Sequence, residues 1–133
     1  IYNNEPMKDQ AEFMPFELED RIIKGDVKGA IRIVSSIKEL ESHYAALLVW
    51  VVGKIINNAA SAMQSSRPDA ALIKLGVWNN KVGDYKALMS KFELKDMINF
   101  QKKVFQLDLS NKGINKANFW ERLTDLIMEL TRD

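Results

Sequence analysis

The stretch Tyr44-Ala-Ala-Leu-Leu-Val-Trp-Val-Val52 is the most hydrophobic part of the chain, and its conformation decides the fold. Its β-branched residues would also suit a buried strand. Beyond Lys54, however, apolar residues continue at helical spacing, with no turn signal before Ser65. The sequence therefore predicts one long central helix from about Ser42 to Gln64, buried on most sides in its first half. The apolar run is far shorter than the ~20 residues that cross a bilayer, so we expect no membrane contact.

Shorter helices are predicted on both sides of the central helix. Before it, one helix runs from about Pro15 to Gly25, and a second begins after Asp26, whose side chain suits an N-cap. After it, Ser65-Ser-Arg-Pro-Asp69 is the clearest linker. Apolar spacing then predicts helices over about 69–75, 82–92, 94–112 and 119–130, with glycines at positions 76 and 113 ending two of them. We expect an all-α domain, a compact bundle of six or seven helices over residues 15–133, preceded by an entry linker over residues 1–14.

Composition excludes several kinds of chemistry. The 133 residues contain no cysteine and one histidine, so thiol catalysis, disulfide scaffolds and zinc fingers are excluded. We expect that histidine, His43, to take a surface or cap position at the start of the central helix. The chain has no phosphate-binding loop, dinucleotide fingerprint or hydrolase motif, and its glycines are dispersed. We therefore expect no enzyme activity in this chain itself, no metal and no cofactor.

Charge is unevenly distributed although the net charge is only +1. Residues 1–20 carry one lysine against six acidic residues, whereas residues 81–116 carry eight lysines against four acidic residues. A locally positive surface would result, unless these lysines simply solvate the outer faces of helices. The acidic cluster Glu17, Glu19 and Asp20 has basic helical neighbours, so we interpret it as a solvated face. The chain opens without Met and shows no signal peptide, which favours a cytoplasmic protein or an excised part of one.

Two positions are candidates for a partner interface. Asp108 and Lys112 are four residues apart near the end of a predicted helix, acid before base, a spacing that stabilises helices modestly. Asp108 also continues the apolar stripe of that helix. The pair either forms a local structural ion pair or meets another protein. The surplus of apolar residues in the central helix likewise either fills the core or includes a face for a partner subunit.

A further candidate is Val77-Trp-Asn-Asn-Lys81, which follows Gly76 at a predicted helix junction. An exposed aromatic ring can stack on an unpaired base while a lysine holds a phosphate. Trp78 and Lys81 are therefore candidate DNA contacts. The alternative is a tryptophan that plugs the core at the junction.

Taken together, these segments resemble the C-terminal part of the delta subunit of the bacterial DNA polymerase III clamp loader. The similarity lies in the order of five motifs along nearly the whole chain. They are the entry 9–20, the unit Ile23-Lys-Gly-Asp-Val-Lys-Gly-Ala-Ile-Arg-Ile-Val34, Val77–Lys81, the helix end at Asp108–Gly113, and Phe119-Trp-Glu-Arg-Leu123. The linker 65–69 is short for the family, and the resemblance implies no role for residues 113–118.

The resemblance implies an all-α collar domain that scaffolds clamp loading onto primed DNA during replication. Its partners would be the ATPase subunits, delta-prime and, in the assembled complex, primer–template DNA near the exit path of the template strand. The sliding clamp would be contacted only through the family's N-terminal domain, which these residues do not include. The polymerase holoenzyme is a nucleotidyltransferase, but this chain would perform no such transfer. The alternative is an unrelated helical adaptor that binds a partner protein.

Overall fold

The computed structural model describes residues 15–40, 42–113 and 118–133, so the predicted entry linker over residues 1–14 lies outside the described residues. Within them the chain is all α, with seven α-helices, one 3-10 turn and no strand. The fold prediction is confirmed. The helices are α1 (15–23), α2 (Val27–Leu40), α3 (Ala45–Met63), α4 (Pro68–Lys74), α5 (Asn79–Met89), α6 (Leu94–Asn111) and α7 (Phe119–Thr131).

Local capping chemistry sets several helix ends where the sequence predicts them, although α5, predicted over about 82–92, spans Asn79–Met89. The backbone N–H of Gly29 donates to Oδ1 of Asp26 over 2.9 Å, so Asp26 caps α2. Gly25 (φ +71°), Gly76 (φ +98°) and Gly113 (φ +95°) stand just beyond α1, α4 and α6. Their left-handed backbone is readily adopted only by glycine, which explains why these helices stop there.

Helix α3 is the centre of the core. The predicted central helix begins as a 3-10 turn over Ser42–Tyr44 and becomes α-helical at Ala45. It packs most extensively against α6 and next against α4, while α7 packs against α2 and α6. Its inward side chains are almost completely buried, including Leu48, Val52, Ile55 and Ile56. At about 25 cal/mol per Å² of apolar surface, such burial is the main term stabilising the fold.

The segment Ser42–Met63 passes the length and hydropathy test for a membrane span, with a mean hydropathy of 1.4. Yet 61% of that window is buried inside the domain. Other helices of the domain cover this surface. These properties are those of the core helix of a soluble protein.

Candidate functional site

Glu19 on α1 points into the protein and is only 8% exposed. It lies three and four residues before the buried Ile22 and Ile23, so it shares the inward face of its helix. The hydroxyl of Tyr85 donates to its Oε2 over 2.7 Å, and Nζ of Lys54 donates to its Oε1 over 3.1 Å. The interpretation of Glu19 as part of a solvated face is therefore wrong. Groups from α3 and α5, distant in sequence, enclose this carboxylate.

Two further side chains complete this network. Nδ2 of Asn58 donates to the Tyr85 hydroxyl over 3.3 Å, and Nζ of Lys81 lies 3.5 Å from Oε1 of Glu19. Tyr85 itself is fully buried. Within the described residues, no fully buried side-chain nitrogen or oxygen lacks a hydrogen-bond partner. A buried polar network satisfied in this way fixes the relative positions of the helices that contribute to it.

Protonation follows from these contacts. Burial by itself raises the pKa of the Glu19 carboxyl, but the hydrogen bond from Tyr85 and the charges of Lys54 and Lys81 outweigh it, so the pKa is lowered. Burial and the hydrogen bond to Glu19 raise the pKa of Tyr85. Burial lowers the pKa of Lys81, but Asp20 and Glu19 more than offset this, and its pKa is raised. At neutral pH Glu19 is therefore a carboxylate, Tyr85 a neutral donor and Lys81 a cation.

Trp78 stands beside this network and is 71% exposed. Its backbone is extended (φ −68°, ψ 149°) at the residue that precedes α5. Nζ of Lys81 lies 5.5 Å from the ring centroid, within cation–π range. The core-plug alternative for Trp78 is thus wrong, and the two candidate DNA contacts lie side by side. With Glu19, Lys54 and Asn58 they line a cavity of about 200 Å³, which we term the Trp78 cleft.

Carboxylates compensate much of the expected positive surface. Besides Glu19, Lys81 contacts Asp20, with 3.2 Å between Nζ and Oδ1. Other lysines of the basic segment are also paired, in Lys86–Asp69 (3.1 Å), Lys95–Glu93 (3.8 Å), Lys103–Glu129 (2.7 Å) and Lys112–Asp108 (2.9 Å). Most of these lysines therefore fit the alternative: they lie on the outer faces of helices and do not build a strongly positive surface. Any anion that approaches Lys81 meets a lysine already shared between two carboxylates.

A second feature is a groove between α3 and α6, with a volume of about 680 Å³. Trp50 and Phe105 line it and are 55% and 60% exposed. Gly53 lies at its base, where a Cβ atom would come within 3.3 Å of Val104 Cγ1, so the glycine lets the two helices approach closely. We term this surface the α3–α6 groove. It presents two large aromatic side chains to solvent.

The interface candidates Asp108 and Lys112 lie at this groove or next to it. Asp108 lines the groove, and Nζ of Lys112 lies 2.9 Å from its Oδ2 within the last turns of α6. The local ion pair expected from their spacing is therefore present. Both side chains remain substantially exposed, at 65% for Lys112 and 41% for Asp108. The pair can thus contact a partner without being broken.

The single histidine lines neither the Trp78 cleft nor the α3–α6 groove. His43 is in the 3-10 turn before α3 and is exposed, with its ring centroid 4.4 Å from that of Tyr44. This is the surface position expected. No cluster of three or more acidic or histidine side chains able to hold a metal occurs within residues 15–40, 42–113 and 118–133.

Sequence reasoning missed four residues of these two surfaces. Tyr85, Asn58 and Trp50 lie within predicted helices, where nothing in the sequence distinguishes them from their neighbours. Lys54 carried the one available signal, since it is the only charge in the long apolar helix α3. A lysine there requires either a solvent path or a carboxylate partner, and Glu19 provides the partner. No protein-family model matches the chain, and a search of curated proteins finds no significant match.

Proposed function

We propose that this chain is the C-terminal collar domain of a clamp-loader delta subunit. Its function would be to scaffold the assembly that loads the sliding clamp onto primed DNA during replication. The ATPase subunits and delta-prime would be its protein partners, and the cytoplasm its location. The order of the five motifs supports this proposal, and so does the all-α fold.

The main structural support for the proposal is the α3–α6 groove. Large aromatic side chains are enriched among the residues that contribute most binding energy at protein interfaces. Trp50 and Phe105 are half-exposed on adjacent walls of this groove, next to the exposed ion pair of Asp108 and Lys112. Aromatic anchors beside charged side chains are typical of a protein interface. The occupant that we assign to the groove is the helical domain of a neighbouring loader subunit.

Trp78 and Lys81 have a separate part in the proposal. The ring of Trp78 is exposed and backed by a cation, so it can stack on an unpaired template base while Lys81 contacts a phosphate. The Trp78 cleft would then border the path of the template strand in the assembled loader. This contact would position DNA and perform no chemistry on it.

Reconstitution with purified ATPase subunits and delta-prime tests the assembly function. The expected result is incorporation of this chain into a complex of defined mass, measured by size-exclusion chromatography with light scattering. Phe105→Asp should prevent incorporation, because it places a charge among the apolar contacts of the groove. Met128→Asp is the matched control, since Met128 is similarly exposed, at 50% against 60% for Phe105, but lies on α7 outside the groove. Circular dichroism confirms that both variants are folded.

Three results would contradict this proposal. If the wild-type chain does not enter the complex, the collar function is wrong and the helical adaptor becomes the better hypothesis. If it enters and Phe105→Asp enters equally well, the groove is not the interface. If Met128→Asp is excluded as completely as Phe105→Asp, the loss does not depend on the groove.

A further inference from the structure

We propose that Asp20 is an exchangeable counter-ion of Lys81, and that a phosphate of single-stranded DNA takes its place when Trp78 stacks on a base. This inference rests on the DNA contact proposed above. It adds that Asp20 limits the affinity of that contact. Asp20 Oδ1 lies 3.2 Å from Nζ of Lys81, a position that a phosphate oxygen could equally occupy.

The two carboxylates that contact Lys81 differ in how firmly they are held. Glu19 is 8% exposed and accepts hydrogen bonds from Tyr85 and Lys54 as well. Moving it would leave a buried charge and a buried hydroxyl without their partners, which is costly. The side chain of Asp20, in contrast, is 41% exposed and can turn into water. An exposed ion pair of this kind contributes little to stability, so exchanging it for another anion costs little.

The position of Lys81 connects this exchange to base stacking. Its Nζ is 5.5 Å from the centroid of the Trp78 ring, so a phosphate bound there would adjoin a base stacked on that ring. Lys54, which also lines the cleft, remains bound to Glu19 throughout. The carboxylates of Glu19 and Asp20 together balance the charges of Lys54 and Lys81. Displacement of Asp20 leaves one uncompensated positive charge, which the phosphate neutralises.

A purely structural function for the Asp20–Lys81 pair would be to hold α1 against α5. The hydrogen bond from Tyr85 to Glu19 already joins these helices at a buried position. The exposed pair is therefore available for exchange. The two functions predict opposite results when the Asp20 charge is removed, because a structural pair would weaken the site and an exchangeable counter-ion would strengthen it.

The experiment measures binding of the 133-residue chain to a fluorescein-labelled oligothymidylate by fluorescence anisotropy, over a series of low salt concentrations. Asp20→Asn should tighten binding by about twofold to fivefold, the range expected for release of one exposed ion pair. It should also steepen the dependence of log K on log salt by up to about 0.7, because one more lysine becomes available to phosphate. Asp20→Glu retains the charge and should bind like the wild type.

Asp69→Asn is the matched control, since Asp69 is an exposed partner of Lys86 at 3.1 Å and its loss changes the net charge equally. It should change binding less than Asp20→Asn does. The double variant Asp20→Asn/Lys81→Ala should bind no more tightly than Lys81→Ala alone, since the gain acts through Lys81. Thermal melts confirm that each variant is folded.

Different results would contradict the exchange of Asp20 and the DNA contact itself. If binding is lost in Trp78→Ala but Asp20→Asn resembles the wild type or Asp69→Asn, the exchange is wrong and the DNA contact stands. If Asp20→Asn weakens binding, the pair is structural and the exchange is wrong. If no variant binds the oligonucleotide even at low salt, the DNA contact fails and the exchange fails with it.

Discussion

Tyr85 donates its hydroxyl hydrogen to Glu19 over 2.7 Å and thereby joins α5 to α1 across 66 positions of the sequence. The same hydroxyl accepts a hydrogen bond from Asn58 of α3. One phenol oxygen therefore links three helices at a buried point. Trp78 and Lys81, at the start of α5, are positioned relative to α1 through this link.

Tyr85→Phe should destabilise the protein by about 1–3 kcal/mol, because it removes a donor from a buried carboxylate without changing the shape of the core. Chemical denaturation measures the loss. Glu19→Gln and the double variant complete a thermodynamic cycle with it. The two single changes should not be additive, since each removes the same hydrogen bond. Additive losses would show that the two side chains do not interact in solution.

Acid should weaken this link. The pKa of Glu19 is lowered below its ordinary value of 4.5, so folding favours its ionised form. The resulting stability is fully present above pH 4.5 and is lost as pH falls through the pKa of the folded state. Below pH 4.5, the free energy of unfolding should therefore fall less steeply in Glu19→Gln than in the wild type. Urea unfolding between pH 7 and pH 3 measures the difference.

Glu17→Gln provides the control for that titration. Glu17 lies on the same helix but is exposed. Its substitution should leave the acid limb of the stability curve close to that of the wild type. Equal flattening in both variants would mean that net charge, and not the buried contact with Tyr85, determines the acid sensitivity.

Trp78→Ala should separate stability from DNA binding. Since the ring is 71% exposed, its removal should change the free energy of unfolding by about 0.5 kcal/mol or less. In the reconstituted loader it should weaken binding to primed template, since stacking contributes about 1–3 kcal/mol per base, and leave clamp binding unchanged. Trp78→Phe retains a stacking surface and should preserve much of the affinity. A large loss of thermal stability in Trp78→Ala would instead assign the ring to the core.

The helices could be predicted because their signals are local in sequence. The buried network could not, because its contacts join residues that are far apart in sequence. Asp26 caps a helix through a residue three positions away, and Gly76 ends one through its own backbone. Such signals lie within a single turn of the chain. Glu19, by contrast, owes its environment to partners 35 and 66 positions away, and within its own helix it resembles any surface glutamate. The sequence likewise leaves the exposure of Trp78 open, because that exposure depends on how α4 and α5 meet.

Two glycines provide a test of backbone conformation free of packing effects. A Cβ atom added at Gly76 or at Gly83 would meet nothing within 4 Å. Gly83 lies within α5, so Gly83→Ala should stabilise the protein by about 0.5–1 kcal/mol through helix propensity. Gly76 has φ +98°, so Gly76→Ala should destabilise it by about 1–2 kcal/mol. Thermal denaturation checks both values, and shifts of the same sign would contradict this account.

The dominance of α6 in covering α3 has a consequence for biosynthesis. Helix α3 ends at Met63 and α6 begins at Leu94, so the ribosome completes the most apolar helix well before its main covering helix is made. During that interval the nascent chain exposes a segment hydrophobic enough to resemble a membrane span. Chaperones that bind exposed apolar segments would bind α3 during this interval. A chain truncated before α6 would tend to aggregate.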